Sequence, residues 1–193
     1  MKKIVLILFL GLLYCSANAQ HKTEQKEYYD SGELFSVANY SNGKKNGVWK
    51  IYFKNGQYKF IEKYKNDLLV KTTSYLENGK LFYIKKYKNG KLKKWKEYHD
   101  NGKLSYISNY LNGKQNGKYK GYYLNGKLQF VGSYSRDKRK GIRKDYYNNG
   151  QISDVGKYKD GKQDGKWKFY HKNGKLDKIE HWEDGKLKSK ENN

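Results

Sequence analysis

Side chains that could carry out acid–base catalysis or bind a metal are few and scattered along the 193 residues. His181 and Glu183 would share a strand face, but two ligands do not complete a zinc site. Carboxylates are distributed singly, among them Glu33, Glu62, Glu97, Asp145 and Glu180. No spacing marks two of them as the pair that glycoside hydrolysis needs, and the His-Glu-x-x-His and Gly-x-Ser-x-Gly motifs do not occur. The sequence therefore predicts a protein that is not an enzyme and uses no metal or cofactor.

Two short segments carry side chains suited to binding. Leu68, Leu69 and Val70 form an apolar triplet next to an expected turn, either as a contact patch for a partner or as packing on the neighbouring hairpin. Residues 136–144 contain every arginine of the chain. The candidate partner-binding residues of this second segment are Arg136, Lys138, Arg139, Lys140, Arg143 and Lys144. Such a cluster binds phosphate, sulfate or carboxylate groups, although a solvated turn in a basic protein has the same composition.

The first 19 residues have the layout of a secretory signal peptide. A basic start is followed by an apolar run over residues 4–14, and a small-x-small cleavage motif ends at Ala19. This apolar run is shorter than the roughly 20 residues of a membrane-spanning helix. Lipid attachment at Cys15 is disfavoured because Tyr14 stands where a small residue normally precedes the modified cysteine. We therefore predict export to the periplasm, the cell surface or the medium, with cleavage before Gln20 and no transmembrane segment in the exported chain.

An internal repeat of 23 or 24 residues organises the rest of the sequence. Seven copies share an aligned glycine, and we number the repeats 1 to 7 by Gly32, Gly56, Gly79, Gly102, Gly126, Gly150 and Gly174. Four residues before each glycine stands a tyrosine, at Tyr28, Tyr52, Tyr75, Tyr98, Tyr122, Tyr146 and Tyr170. Eight residues after each glycine stands an aromatic residue, at Tyr40, Tyr64, Tyr87, Tyr110, Tyr134, Tyr158 and Trp182. A period of this length is typical of repeat proteins.

Each repeat contains two turn signals and two runs with strand composition. Asn-Gly or an equivalent pair occurs at the aligned glycine and again eleven residues later, and Asn-Gly supplies the two positive-φ residues of a type I′ turn. The runs between turns are rich in Tyr, Ile, Val, Phe and Trp. The sequence therefore predicts an all-β fold, an elongated antiparallel single-sheet meander of about seven β-hairpins with up to 14 strands. The expected segments are a signal peptide at 1–19, a lead at 20–27, one repeat domain at 28–187 and a tail at 188–193.

Apolar positions in the first strand of a repeat are three residues apart, as at Leu104, Ile107 and Tyr110. Strict alternation would put the middle residue on the opposite face of the sheet. Either both faces carry apolar side chains or a β-bulge re-aims them, and we favour the bulge.

These repeats resemble the MORN repeat, in the variant common in bacterial exported proteins. The unit Tyr-x-x-Asn-Gly-Lys-Leu-x-x-Ile-x-x-Tyr-x-Asn-Gly-Lys-x-Asn-Gly-x-Trp is matched almost position for position by residues 98–119, where Tyr119 replaces the tryptophan. The resemblance extends from about Tyr28 to Leu187. It implies an elongated antiparallel sheet that acts as a scaffold, a binding or membrane-apposition module, or an accessory to a catalytic domain. Some bacterial relatives carry an antitoxin-like label.

The chain is strongly basic, with 42 Lys and Arg against 19 Asp and Glu. Loss of Lys2 and Lys3 with the signal peptide would lower the formal charge from +23 to +21. A surface with this charge attracts acidic glycans, anionic lipid head groups or an acidic protein, and export argues against nucleic acid as the partner. The alternative is that lysine keeps an open sheet soluble and prevents pairing at its edges.

The recurring aromatic row has two interpretations as well. It could stack sugar rings or hold an extended peptide, or it could bury the backbone of a thin sheet. Recurrence in all seven repeats favours the structural role, because a binding site rarely needs every unit.

We therefore predict a non-catalytic exported repeat scaffold that mediates protein–protein or envelope interactions through a basic, tyrosine-rich sheet. An electrostatic binder of acidic glycan or anionic lipid surfaces is the alternative, and a hydrolase of an envelope polymer is a remote one. The expected partner is an unknown protein or an acidic envelope component, and peripheral contact with an anionic membrane is compatible with either.

Overall fold

The computed structural model describes residues 21–193, and every regular element in that range is a β-strand. The predicted signal peptide and Cys15 lie outside the described residues. Seventeen strands belong to one antiparallel sheet, and its ladders join strands that are close in sequence. The predicted all-β, single-sheet antiparallel meander is therefore confirmed. The described residues form two compact units, the first ending at Lys91 and the second running from Leu92 to Asn193.

The first unit contains the strands β1 Lys22–Tyr28, β2 Leu34–Ser41, β3 Lys44–Lys45, β4 Gly47–Tyr52, β5 Tyr58–Lys65, β6 Leu68–Tyr75 and β7 Leu81–Lys88. The second contains β8 Lys91–Tyr98, which starts at the boundary, β9 Leu104–Leu111, β10 Lys114–Tyr122, β11 Leu128–Ser135, β12 Lys138–Arg139, β13 Gly141–Tyr146, β14 Ile152–Lys159, β15 Lys162–Tyr170, β16 Leu176–Glu183 and β17 Lys186–Asn192. Seventeen strands are present instead of 14 because β1 precedes repeat 1 and two strands are interrupted, at Asn46 and Lys140. Thus β1 occupies most of the expected lead, and β17 crosses the expected tail.

The turn eleven residues after the aligned glycine has the predicted type I′ geometry. At Asn42 and Gly43 the φ angles are 50° and 72°, and two successive positive values define this turn. The same pair of positive angles occurs at Asn89–Gly90, Asn112–Gly113, Asp160–Gly161 and Asp184–Gly185. Repeats 2 and 5 form the turn without glycine, at Asn66–Asp67 and Arg136–Asp137.

The type I′ prediction is wrong for the turn at the aligned glycine. There only the glycine has a positive φ, 81° at Gly56, and its N–H donates to the carbonyl oxygen of Phe53 at 3.0 Å. This is a type I turn closed by a left-handed glycine, the usual loop of three residues. The preceding asparagine uses its side chain instead, since Asn55 Oδ1 accepts a hydrogen bond from the Gln57 N–H at 3.0 Å.

Register shifts decide which side chains share a face. In the β8–β9 ladder Ser105 is an extra residue, and this bulge puts Leu104 on the same face as Ile107. No shift follows between Ile107 and Asn109, so alternation places Tyr110 on the opposite face. The bulge therefore explains the first spacing of three residues, and apolar side chains on both faces explain the second.

The face that carries Tyr110, here called the aromatic face, contains the buried core of the second unit. Trp167 is 3% exposed and covers Gly156, where an added Cβ would lie 2.0 Å from the indole ring. Tyr119 is buried to the same extent and covers Gly132. Glycine within these strands makes room for a large ring to lie against the neighbouring backbone.

Side-chain hydrogen bonds also connect hairpin turns to the next repeat. The Tyr147 hydroxyl donates to the carbonyl oxygen of Tyr170 at 2.7 Å, and Asn101 Nδ2 donates to the carbonyl oxygen of Leu124 at 2.8 Å. Both bonds join residues 23 apart, which is the repeat length. Stability of the array therefore comes from contacts between neighbouring repeats, as in other repeat proteins.

Candidate binding surfaces

The basic segment of repeat 5 lines a cavity of about 710 Å³ in the second unit. The cavity lies where Lys140 separates β12 from β13. The Lys140 N–H donates to the Ser133 carbonyl oxygen at 2.9 Å. Its cationic lining residues are Arg136, Lys138, Arg139, Lys140, Lys157 and Lys159. Asp160 is the one carboxylate among the described lining residues, so positive charge predominates in this fifth-repeat cavity.

Tyrosines on both neighbouring strands fix Arg139. Its Nη1 donates to the Tyr158 hydroxyl at 3.1 Å, and its Nε donates to the Tyr134 hydroxyl at 3.5 Å. The guanidinium carbon lies 5.2 Å from the centroid of the Tyr158 ring. The hydrogen bond to Tyr134 raises the pKa of Arg139 despite the opposing effect of burial. This guanidinium is therefore directed towards the two tyrosine hydroxyl groups at the cavity.

Arg136 occupies the first position of the type I′ turn in repeat 5, with φ of 49°. Asp137 follows with φ of 68° and accepts a hydrogen bond from the Gln115 N–H at 2.7 Å through its side chain. The left-handed region is costly for residues other than glycine, asparagine and aspartate. Arg136 is the one residue of another type with a positive φ among residues 21–193.

Arg143 and Lys144 do not join the cavity, although sequence proximity grouped them with it. Arg143 lies on the aromatic face, where Nε and Nη2 donate to the two carboxylate oxygens of Asp145, each at 2.6 Å. Lys144 is one residue further along β13 and points to the opposite face, paired with Val155. Conversely, sequence reasoning missed Lys157 and Lys159. These lysines flank Tyr158, which pairs with Gly141 in the cavity lining, so the β13–β14 ladder brings them to the cavity.

The first unit has a smaller cavity at the equivalent interruption, where Asn46 separates β3 from β4. Its volume is about 470 Å³, and its cationic lining residues are Lys22, Lys63 and Lys65. Lys45, aligned with Arg139, places its ammonium 3.7 Å from the centroid of the Trp49 ring. This first-repeat cavity has the same backbone origin but about half the positive charge.

The apolar triplet of repeat 2 is divided by a bulge. Leu68 is 50% exposed, and its Cδ2 lies 3.7 Å from where a Cβ on Gly90 would be. Leu69 pairs with Tyr64, and Val70 is the extra residue of the bulge. The Leu68 side chain therefore packs partly on the neighbouring turn and is partly exposed to solvent. Contact with a partner at Leu68 stays a prediction.

The face opposite the aromatic one carries a row in which lysine alternates with isoleucine or valine across the second unit. Successive paired residues of this lysine–aliphatic face are Lys96, Ile107, Lys120, Val131, Lys144, Val155, Lys168 and Ile179. Lys120, Lys144 and Lys168 are exposed, and the aliphatic residues are half-buried. Lysine stems that lie along apolar neighbours account for this pattern.

The predicted aromatic row packs against other rings on the aromatic face. Tyr134 lies 4.7 Å from Tyr119 between ring centroids, and Tyr158 lies 5.2 Å from Trp167 edge-on. Burial raises the pKa of Tyr110 above its usual value. These contacts support the structural role of the row, since the rings cover backbone and each other.

The side chains of His99 and His181 each contact one polar partner. His99 Nε2 lies 2.8 Å from the Tyr122 carbonyl oxygen, and His181 Nε2 lies 3.0 Å from the Glu191 carboxylate rather than Glu183. Over residues 21–193, no three His, Cys, Asp or Glu side chains are grouped as metal ligands would be. The same part of the chain contains no helix that is long and apolar enough to span a membrane.

Seven segments of the chain match the family model of the MORN repeat variant, at residues 23–42, 45–66, 70–89, 91–112, 115–135, 139–160 and 163–184. This chain belongs to the MORN repeat family. The resemblance seen at residues 98–119 is thereby confirmed. MORN repeats are generally non-catalytic, and a MORN repeat protein of this kind fits a scaffold that binds other molecules.

No functionally curated protein matches this MORN repeat chain. The GtfA/B complex bound to UDP and GlcNAc is similar at 11% identity and a TM-score of 0.28, over 58% of this chain and 22% of that one. The Tc holotoxin pore of Photorhabdus luminescens is similar at 12% identity and a TM-score of 0.26, over 82% of this chain and 11% of that one. A TcdB2–TccC3 structure is similar at 12% identity and a TM-score of 0.26, over 87% of this chain and 13% of that one. The chain spans less than a quarter of each of these proteins.

Proposed function

We propose that this MORN repeat protein is a non-catalytic exported scaffold that presents its lysine–aliphatic face to an acidic protein of the cell envelope. The observation that carries the proposal is the alternation of lysine with isoleucine or valine on every strand ladder from Lys96 to Ile179. Lys120, Lys144 and Lys168 are exposed there and form no ion pair with any described residue. Their charge is therefore available to a partner.

The geometry of this row favours a protein over a purely electrostatic ligand. Lysines on alternate strands are about 10 Å apart, and the valine and isoleucine side chains lie between them. Carboxylates on a partner would attract the ammonium groups and speed the encounter, while the aliphatic residues would add the apolar area that holds the complex together. A soluble polyanion would use the charges alone.

Charge removal along the row tests this function. A Lys120→Gln/Lys144→Gln/Lys168→Gln variant is expected to bind an envelope partner about tenfold more weakly, because exposed ion pairs contribute modestly and three are lost. The measurement is a pull-down from envelope extract at about 0.05 M and 0.5 M salt, a range that shortens the screening length severalfold. A discrete protein retained by the wild type at high salt is the expected result.

The matched control is Lys114→Gln/Lys162→Gln/Lys186→Gln, which removes the same charge from exposed residues that begin β10, β15 and β17. It is expected to retain the partner as the wild type does. Equal loss in both variants would mean that net charge alone matters, and capture of only acidic polymer or lipid at low salt would replace the scaffold function by the electrostatic one.

Export is the second part of the proposal, and the order of basic, apolar and small residues before Gln20 supports it. Expression of the full chain in a bacterial host with a secretion pathway is expected to yield a protein outside the cytoplasm that begins at Gln20. Intact-mass measurement checks this directly. Recovery of a cytoplasmic protein that still begins at Met1, or of a lipid-modified protein that begins at Cys15, would contradict it.

A further inference from the structure

The fifth-repeat cavity has positive charge that no described residue neutralises by an ion pair. Six cationic residues line it, and the ion pairs within residues 21–193 involve none of them. Asp160 is the single carboxylate in the lining. Converging charges of one sign raise the local concentration of a ligand of opposite sign. The cavity therefore attracts an anion.

Arg136 gives an independent indication that this charge has a use. Six of the seven equivalent turn positions hold asparagine or aspartate, the residues that tolerate positive φ, at Asn42, Asn66, Asn89, Asn112, Asp160 and Asp184. Repeat 5 alone has an arginine there, at φ of 49°. This residue strains the backbone but places a cation at the cavity. Strain of this kind is typical of functional positions.

Arg139 supplies the directional part of the site. Two of its N–H donors are directed at the hydroxyl groups of Tyr134 and Tyr158, which leaves three of the five guanidinium donors for a ligand. A planar guanidinium recognises oxyanions through two parallel hydrogen bonds, which an ammonium group cannot form. In the first-repeat cavity the aligned residue is Lys45, whose ammonium lies over Trp49.

We propose that the fifth-repeat cavity binds a phosphate or sulfate group carried on a larger molecule. A volume of about 710 Å³ exceeds what a single oxyanion fills and is typical of sites for small organic ligands. The tyrosine ring beside Arg139 provides an apolar wall for the rest of that molecule. Arg139 itself lies apart from the lysine–aliphatic face, because it pairs with Tyr134, whose ring lies on the aromatic face.

Calorimetric titration of the full chain with pyrophosphate, sulfate and citrate tests the proposal. Pyrophosphate or sulfate is expected to bind with one site per chain at about 0.15 M salt, where non-specific attraction is screened. Preference for pyrophosphate would identify a phosphate group and preference for sulfate a sulfate group. Citrate binding as tight as either would overturn the proposal, because carboxylates would then suffice.

Arg139→Gln is expected to weaken pyrophosphate or sulfate binding at least tenfold, roughly the effect of one charge-assisted hydrogen bond. Arg136→Asn is expected to weaken it severalfold while raising Tm, because asparagine relieves the positive-φ strain. A variant that binds less although it is more stable separates a binding role from a folding role. Unchanged affinity in Arg136→Asn would contradict the argument from strain.

Two controls decide between a built site and general attraction. Lys162→Gln removes one exposed charge outside the cavity, and Lys45→Gln changes the residue aligned with Arg139. Both are expected to bind the anion as the wild type does, and a tenfold loss in either would overturn the proposal. The Lys120, Lys144 and Lys168 variant is also expected to keep anion binding, so this inference and the proposed scaffold function can fail separately.

Discussion

A Gly156→Ala variant is expected to lose about 3 kcal/mol of stability, at the upper end of the cost of overpacking a core. The added Cβ would lie 2.0 Å from Trp167 Cδ2 and 2.2 Å from Cε2. The backbone of a paired strand cannot withdraw, so the indole must move away and give up the hydrogen bond from its Nε1 to the Lys157 carbonyl oxygen. For a chain of this length Tm is expected to fall by roughly 6 to 12 °C, measured by tryptophan fluorescence.

Repeat 1 shows how an indole lies when alanine occupies this position. Ala38 is aligned with Gly156, and Trp49 is aligned with Trp167. Trp49 Nε1 is buried without a hydrogen-bond partner among the described residues, whereas Trp167 Nε1 has one. We therefore expect the Gly156→Ala protein to fold with Trp167 raised from the backbone, and not to lose the sheet.

A double-mutant cycle with Trp167→Leu isolates this contact. In the leucine background Gly156→Ala is expected to cost less than about 1 kcal/mol, because the ring that it would meet is absent. Ala38→Gly in repeat 1 is the reverse experiment, and it removes the methyl group at the position that Gly156 leaves open. If Gly156→Ala costs the same with and without the indole, the effect belongs to the strand backbone and the packing explanation is wrong.

Turn chemistry and strand composition were enough to predict the fold. Two positive-φ residues at Asn42–Gly43 and its equivalents follow from the Asn-Gly pairs themselves. The turn at Gly56 differs because the Asn55 side chain accepts a backbone N–H, a competition that the dipeptide alone does not reveal. Glycine inside a strand pattern, as at Gly156, was the available signal for the close approach of a ring.

The candidate sites were harder to predict, because a step of one residue along a strand changes the face. Arg143 and Lys144 are adjacent in sequence, yet one pairs with Asp145 on the aromatic face and the other belongs to the lysine–aliphatic face. Lys157 joins the fifth-repeat cavity only through the pairing of β13 with β14. Sequence proximity therefore singled out the segment that lines the fifth-repeat cavity but could not assign each cation to its surface.

Arg143→Met is expected to cost about 2 kcal/mol at pH 7, because it leaves Asp145 without its cation in a site where both side chains are less than a fifth exposed. Asp154 lies directly across the ladder from Asp145, so two carboxylates would then face each other. Burial, followed by the charge of Asp145, already raises the pKa of Asp154, and Arg143 opposes that rise. Loss of Arg143 is therefore expected to raise the pKa of Asp154 further.

The loss of stability caused by Arg143→Met should therefore depend on pH. When the pKa of a carboxyl group is higher in the folded state than in the unfolded state, the protein loses stability as pH rises through the interval between the two values. Arg143→Met widens that interval for Asp154, so the deficit in Tm relative to the wild type is expected to be largest at neutral pH. It should shrink towards about pH 3.5, just below the usual aspartate pKa of about 3.9.

The control background is Asp145→Asn/Asp154→Asn, which removes both charges and keeps the shape of the side chains. There Arg143→Met is expected to cost less and to lose its pH dependence, since no carboxylate remains to be neutralised. Arg143 also lies 4.9 Å from the centroid of the Phe130 ring, so part of its contribution is packing. A deficit that is the same at pH 7 and at about pH 3.5 would assign the whole effect to that packing, and Asp145 would not need Arg143 for its charge.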